Sequence, residues 1–423
     1  MRSHFRRALA LACAFGVASS AMAQDGPLGS NVRGLLEHAR AQNPELASMR
    51  LEAEAAAQRV QPAGALPDPV LRVELMNVNN YGNDAGFNLL PSKVGETRYT
   101  LMQMLPAWGK RDLRRDVAAA DLQQATARTA GAWTELAMKI KTGYARYYLA
   151  SQNERLTREI LDLMTRIEQI AQARYAGGLV AQQDAIRAQI EQTTMRSELI
   201  MLDAEKRQAR ARLNALLSRE ASAPLAEPVA LRPLPAVTAL EGAALAQRAR
   251  AANPQLLAED ARLRGAEKSR ELARRNRYPD VTLGLSPTQM GSRITSWGVM
   301  VEVNIPLQQA TRRAQEAEAE AMVGAARSRS QAVANQLAGD LGENLAALDA
   351  ARSTEALVAN QSLPQSELSL RSAIASYENG KLDFTALLEA QRQIRKARMD
   401  RLKAHAEAQM RLAEIERIVG EDL

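Results

Sequence analysis

Two spacings of apolar residues alternate along the chain. Steps of four and three at Leu156, Ile160, Leu163, Ile167 and Ile170 form a heptad seam on a helix. Steps of two at Leu71, Val73 and Leu75, with Arg72 and Glu74 between them, predict a strand with one apolar and one polar face. The cleanest alternation sets Trp297, Val299, Val301, Val303 and Ile305 against Ser296, Gly298, Met300, Glu302 and Asn304. In chain order the pattern predicts a helix over 31–61, broken at Asn43-Pro44, a strand within 66–78, a loop over 77–95 and a strand over 96–105 stopped by Pro106. A helix without proline follows over 110–175. About 65 residues at ~1.5 Å each make a rod of roughly 100 Å, which needs a bundle or coiled coil to cover it. A returning helix spans 182–217, and 221–235 is a proline-rich linker.

The second half repeats this order. A helix over 240–275 leads to a strand with Val281, Leu283 and Leu285 on one face. A loop over 289–293 and a second strand come next, then a long helix over 311–377 with Pro364 as its kink, and a last helix over 382–418. Ala173-Arg174-Tyr175-Ala176-Gly177-Gly178 returns as Ala375-Ser376-Tyr377-Glu378-Asn379-Gly380, with both Tyr and the last Gly 202 positions on. Asn43-Pro44 returns as Asn253-Pro254, Pro67-Asp68 as Pro279-Asp280 and Leu105-Pro106 as Ile305-Pro306. Gly, or Asn-Gly, at a helix end supplies the left-handed residue that stops it. The chain therefore divides into a signal peptide (1–23), a first repeat (24–218), a proline-rich linker (219–238) and a second repeat (239–423). The fold class is mainly α with a small β part: two long helical hairpins and four strands.

Composition narrows the setting. Arg2, Arg6 and Arg7, the apolar run 8–18 and Ala21-Met22-Ala23 have the layout of a secretory signal. Cys13, the only cysteine, lies inside it, so the mature chain has no disulfide and no thiolate site. Without those three arginines, 52 basic residues face 48 acidic ones, an interspersed balance that gives no reason to expect nucleic acid. Aromatics are only 4% while alanine is abundant, which fits close helix-on-helix packing. After the signal no apolar run is long enough for a membrane helix. The strands, about 9 to 12 residues each, are long enough to cross a bilayer when tilted. Four cannot close a barrel, and an open edge in lipid leaves backbone groups unpaired, so several chains would have to pool their strands.

With its signal, duplication, strand pairs, long rods and two Tyr-x-x-Gly turns, the chain resembles the TolC-type outer-membrane efflux channels over nearly its whole mature length. The resemblance implies a homotrimer in the outer membrane of a Gram-negative bacterium, with a shared 12-stranded transmembrane β-barrel and a periplasmic α-barrel of hairpins. It implies a passive exit duct of a tripartite pump, partnered by a periplasmic adaptor (membrane fusion protein) and an inner-membrane efflux pump. Leu66-Pro67-Asp68-Pro69 and Pro106-Ala107-Trp108-Gly109-Lys110-Arg111 resemble segments of the heavy-metal efflux branch, driven by protons. The alternatives are a drug-efflux or type I secretion channel of the same fold, or a periplasmic adaptor. An adaptor has one hairpin flanked by split lipoyl-like segments, and this chain has two.

The resemblance also places the periplasmic aperture just beyond the turns, at Glu389, Asp383 and Asp184, where Ala386 replaces an acid common in relatives. A ring of like carboxylates in a narrow pore attracts cations; the alternative is ordinary solvated helix charge. The tips, Gly178, Leu179, Val180, Gly380, Lys381 and Leu382, are the expected adaptor contacts, against plain turn chemistry for the glycines. Tyr99 and Trp297 are candidate membrane-interface aromatics, against plain packing. His38 and His405 lie in opposite halves without ligand spacing. Met102, Met104, Met290 and Met300 read as apolar filler before soft-metal ligands. No metal site, cofactor or catalytic constellation is expected, and an enzyme is not.

Overall fold

A computed structural model describes residues 27–79, 86, 87 and 89–423. The signal segment with Cys13, and residues 80–85 and 88 of the loop, lie outside the described residues. Among the described residues nine helices and four strands follow the expected order: α1 (Val32–Gln42), α2 (Pro44–Ala63), β1 (Val70–Met76), β2 (Glu96–Leu105), α3 (Lys110–Ala176), α4 (Gln182–Leu216), α5 (Gly242–Ala252), α6 (Pro254–Arg275), β3 (Val281–Met290), β4 (Arg293–Val303), α7 (Gln309–Leu357), α8 (Leu363–Glu378) and α9 (Phe384–Val419). A short 3₁₀ turn at Val237–Leu240 precedes α5. No described helix is long and apolar enough to cross a membrane.

The duplication holds at the level of atoms. Asn43 caps α2: its Oδ1 accepts from the N–H groups of Glu45 and Leu46, and its Nδ2 donates to the Leu216 carbonyl at the end of α4. Asn253 does the same for α6, accepting from Gln255 and Leu256 and donating 2.8 Å to the Ile418 carbonyl at the end of α9. Proline at the next position costs nothing, because that N–H has no helical partner anyway. Each asparagine thus fastens a short helix to the end of a long one. Asn253 is buried, so Asn253→Ala would lose a cap, about 1 kcal/mol, and orphan a buried carbonyl, about 1–3 kcal/mol. The expected loss of about 2–4 kcal/mol is readable as a lowered guanidinium midpoint for the purified protein.

Three apolar clusters organise the helices. Leu35, Leu46, Ile140, Tyr144 and Leu213 centre one, built from the first repeat. Leu245, Leu256, Leu341, Leu348 and Ile415 centre its counterpart in the second. The linker between the repeats lies on α3, where the Tyr144 hydroxyl donates to the carbonyls of Ser30 and Ala230. The third cluster joins the two hairpins. It gathers the predicted seam residues Leu156, Ile160 and Ile167 with Met195, Tyr377, Phe384 and Ile394, while Leu163 and Ile170 pack half-buried against it.

Two boundaries differ from the sequence reading. The 289–293 loop is narrower, because β3 continues to Met290 and β4 begins at Arg293, with a bulge at Thr288/Gln289 absorbing the extra residue. The second long helix is interrupted just before Pro364. A π turn at Val358–Ser362 precedes it, and Pro364 opens α8. A proline has no N–H to give the preceding turn and its ring crowds the carbonyl four residues back. The wider turn accommodates both.

The four strands form one antiparallel sheet in the order β1-β2-β3-β4, so β1 and β4 are its edges. The register places Leu71, Leu101, Leu285 and Val299 in one row across the sheet, and Val73, Tyr99, Pro287 and Trp297 in another on the same face. Leu71, Leu101, Leu285, Val299 and Val301 are all exposed, Val299 by 81%. The opposite face carries Arg72, Glu74, Arg98, Thr100, Ser286 and Thr288 around a hollow of about 430 Å³. Arg98 pairs with Glu74 across strands at 3.8 Å. The expected apolar belt is present, and the polar side of the sheet is the one fit to face water.

Candidate functional site

Both hairpins end in the same turn. At the first, the N–H of Gly178 donates to Tyr175 and that of Leu179 to Arg174; at the second, Gly380 donates to Tyr377 and Lys381 to Ser376. Each is a paired six-to-one and five-to-two closure with the glycine left-handed at φ +71°. A side chain there would be strained, which explains why glycine recurs at both places. Leu179 is 70% exposed at the first tip and Lys381 is exposed at the second. Val180 is half-buried. Leu382 is also half-buried and packs on the hairpin core, so only Leu179 is an exposed apolar tip residue.

The three acids are in different circumstances. Asp383 is the N-cap of α9, accepting from the Ala386 N–H at 2.9 Å. Glu389 is exposed, and Gln393 donates to it from the next turn at 3.3 Å. Six positions on a helix turn through about 240°, so Asp383 and Glu389 lie on different faces of α9. Asp184 is half-buried in the first turn of α4, near the buried Tyr377. Burial pushes the Tyr377 hydroxyl above its ordinary pKa, the Asp184 carboxylate pushes the same way, and Arg174 opposes them.

Arg174 was not legible as a site residue from the sequence. Its guanidinium stands 4.9 Å from the centroid of Tyr377 and beside the Gly380 turn, where an added Cβ would lie 3.0 Å from it. Tyr377 in turn meets Phe384 edge-on at 5.6 Å. The second turn thus rests on a cation and two rings. Further ties cross between hairpins: Arg187 to Thr385 at 2.7 Å, Arg392 to Glu191 at 3.0 Å, and Arg395 to Glu198. Tyr175, the partner of Tyr377 by repeat, is 46% exposed. Equivalent turns therefore sit in unequal surroundings within one chain.

At the other end of the rods, Lys110 is buried and donates 2.8 Å to both Asp280 and the Tyr278 carbonyl. Asp280 also accepts from the Ala107 N–H at 2.8 Å. Burial raises the Asp280 pKa, but Lys110, the Ala107 N–H and Arg114 together outweigh it and hold the carboxyl below its ordinary value. At the offset of 200 that relates Leu105-Pro106 to Ile305-Pro306, the repeat of Lys110 is Ala310, and Asp68, the repeat of Asp280, is exposed. One of the two segments that resemble the metal branch thus meets the repeat copy of the other, through Lys110 and Asp280.

Tyr99 donates to Gln289 at 3.3 Å, and Trp297 is 65% exposed in the same row of the apolar face. Among the described residues no three His, Cys, Asp or Glu side chains are placed to hold a metal ion. His405 pairs with Glu355 at 2.9 Å and His38 lies far along the sequence in α1. Met102 and Met300 pack over Gly284 on the polar face, as filler would.

These features have close parallels. The family model described as outer membrane efflux protein matches residues 35–219 and 245–421. The cobalt-zinc-cadmium resistance protein CzcC of Cupriavidus metallidurans is 25% identical over 406 residues, 93% of this chain and 90% of that protein. The solved structure of the outer-membrane channel OprN shares the fold at a TM-score of 0.77, with 20% identity, covering 92% of this chain and 89% of that one. The outer membrane protein VceC of Vibrio cholerae does so at 0.76, with 17% identity, covering 92% and 96%. The match across both repeats, together with an apolar-faced sheet on long paired rods, establishes that the chain belongs to the outer membrane efflux protein family, as an outer-membrane efflux channel that extends into the periplasm.

Proposed function

We propose that three copies of the chain form one passive exit duct for a tripartite metal-efflux pump. Three sheets would make a 12-stranded barrel, with β4 of one chain pairing with β1 of the next. The observation that carries this reading is the exposed apolar face of a sheet with two open edges, a combination that water penalises and a shared barrel in lipid satisfies. The helices support it. Ile186, Ile190 and Ile200 on α4 are exposed at heptad positions, a second seam with no occupant in the single chain. The half-exposed Tyr175 is the same kind of gap. Residues 1–23 would be removed on export, and the linker 219–238 would girdle the tube between its two repeats. The tips, with Leu179 foremost, would meet the hairpins of an adaptor that couples the duct to an inner-membrane pump.

Metal ions are the substrate this reading favours, because the relative matched along nine-tenths of both chains is named for cobalt, zinc and cadmium resistance. Cells lacking the gene should lose tolerance to those ions while keeping tolerance to detergents and dyes; the reverse pattern would move the duct to drug efflux. Migration of the unheated protein as a monomer, or its recovery only in the soluble fraction, would sink the trimeric duct.

Glu389 is the aperture candidate with the freest carboxylate. Three such groups lining a narrow end would each stabilise a cation by about 1 kcal/mol at a 4 Å approach in water, a roughly fivefold preference. Glu389→Ala should therefore remove most of the cation selectivity of single channels in a planar bilayer. Unchanged conductance and selectivity would place Glu389 outside the pore.

A further inference from the structure

The helix-side ends of the strands carry exposed side chains of one kind. Trp108 is 91% exposed, Leu307 82%, Ile305 67% and Tyr278 57%. Trp108 is not on a loose loop. It precedes the left-handed Gly109, and its neighbours Ala107 and Lys110 are both bound to Asp280. Along the chain, Tyr278 lies nine positions from Pro287, which shares a row with Tyr99 and Trp297. Nine residues span about 30 Å along a strand, or about 20–25 Å once tilted as in a membrane barrel. That is the height of an apolar belt with aromatic residues at both rims.

Just beyond this lower rim the starts of α3 and α7 and the end of α6 bring many cations together. Some are matched: Arg115 with Asp112, Arg274 with Glu320, Arg277 with Glu316. Among the described residues, Arg111, Arg114, Arg275, Arg312 and Arg313 have no carboxylate within 4.0 Å. Against these five, Asp68, Glu302 and Glu318 lack a cation nearby. Arg111 and Arg312 each spend a donor on a carbonyl, of Gly64 and Asn276, which fixes them in place. Arg275 lies over the Tyr278 ring at 5.9 Å and beside Gly109. A surface cleft of about 820 Å³ opens here between the three helices, lined by Arg274, Arg275, Arg277 and Tyr278 and also by Asp112, Glu271 and Glu316, with Arg275 the one of the five that reaches it.

We propose that this band is a headgroup site: its surplus arginines take the phosphates of anionic phospholipids in the periplasmic leaflet, while Trp108 and Tyr278 seat at the acyl boundary. Two observations select lipid over an acidic protein. The cations lie within a few residues of the strand ends that carry the apolar face, and the aromatics between them have an apolar body with a polar tip. Arginine suits the role because its stem can lie along apolar surface while its head reaches phosphate.

The test uses full-length protein with Trp133→Phe and Trp297→Phe, which leaves Trp108 as the sole tryptophan. It is placed in neutral micelles doped with phosphatidylglycerol or phosphatidylcholine carrying brominated acyl chains, which quench nearby indole. Phosphatidylglycerol should quench Trp108 several-fold more strongly at equal mole fraction, since each cation near an anionic surface favours it by about fivefold. Arg114→Gln, Arg275→Gln and Arg313→Gln together should make the two lipids equal. Raising salt on the unaltered arginines should do the same, which covers the case of a triple variant that fails to fold. Equal quenching before any arginine is changed would overturn the proposal, as would a folded triple variant that keeps the full preference. Absence of quenching by either lipid would place Trp108 against protein and overturn it too. Loss of the phosphatidylglycerol effect on adding inorganic phosphate would assign the cations to the free ion instead.

Discussion

Val301→Arg should keep the protein out of the outer membrane. Val301 is the central residue of the apolar stripe from Trp297 to Ile305, 62% exposed on the apolar face, opposite Leu283. At a membrane midplane an outward arginine costs about 2–4 kcal/mol per chain, and a trimer would carry three. On a sheet wetted on both sides the same change at so exposed a place would fall within about 0.5 kcal/mol. Ser296→Arg is the control, on the same strand but the polar face, and should insert and assemble normally. The measurement is the share of protein in the outer-membrane fraction that migrates as a heat-modifiable oligomer. Equal behaviour of the two variants would refute the assignment of faces, and the shared barrel with it.

Glu416→Ala should be the most damaging single change in the helical part. Glu416 is buried and accepts from Lys141 at 2.8 Å, from both terminal nitrogens of Arg232 at 2.7 Å and from the Leu423 N–H at 3.0 Å. Lys141 is buried as well and keeps only Asp422 once Glu416 is gone. Breaking a buried pair from one side costs about 3–5 kcal/mol, because a charge is left without its counter-ion. Lys141→Met with Glu416→Leu should recover part of that loss, since the pair then leaves no stranded charge, though Arg232 still loses its partner. Arg33→Ala, which breaks the exposed pair with Glu37, should change stability by less than about 1 kcal/mol. Guanidinium unfolding of the purified variants orders the three; a Glu416→Ala midpoint equal to that of Arg33→Ala would show that the network carries no stability.

What could be read from the sequence was local. Strand faces follow from a period of two, the rods from a period of seven, and the turns from glycine at a left-handed position; all three are fixed by a few neighbouring residues. Pairings between distant residues were not legible. Lys141 and Glu416 are 275 positions apart, and neither belongs to a motif. Lys110 was part of a recognisable segment, but nothing in the segment points to Asp280. Repetition also misled where surroundings differ. Tyr175 and Tyr377 are equivalent in sequence, yet only Tyr377 finds Arg174 and Phe384 beside it, because the first hairpin has an open flank in one chain. Among the aperture acids, the cap made by Asp383 is ordinary N-terminal chemistry, and its Asp-x-x-Ala spacing gave no hint beyond it.

The π turn at Val358–Ser362 sets the phase of the second rod. Buried Ala351 and Val358 lie 19 positions before buried Leu370 and Tyr377. Five whole α-helical turns take about 18 residues, so an unbroken helix would rotate the lower contacts by about 100° from the upper ones. The one surplus residue held in the wide turn cancels that rotation, and a single stripe can grip α9 on both sides of the bend. The bend is thus a register correction between two lengths of screw: with Ala359 removed, tightening α7 onto its neighbours would twist Tyr377 away from Arg174.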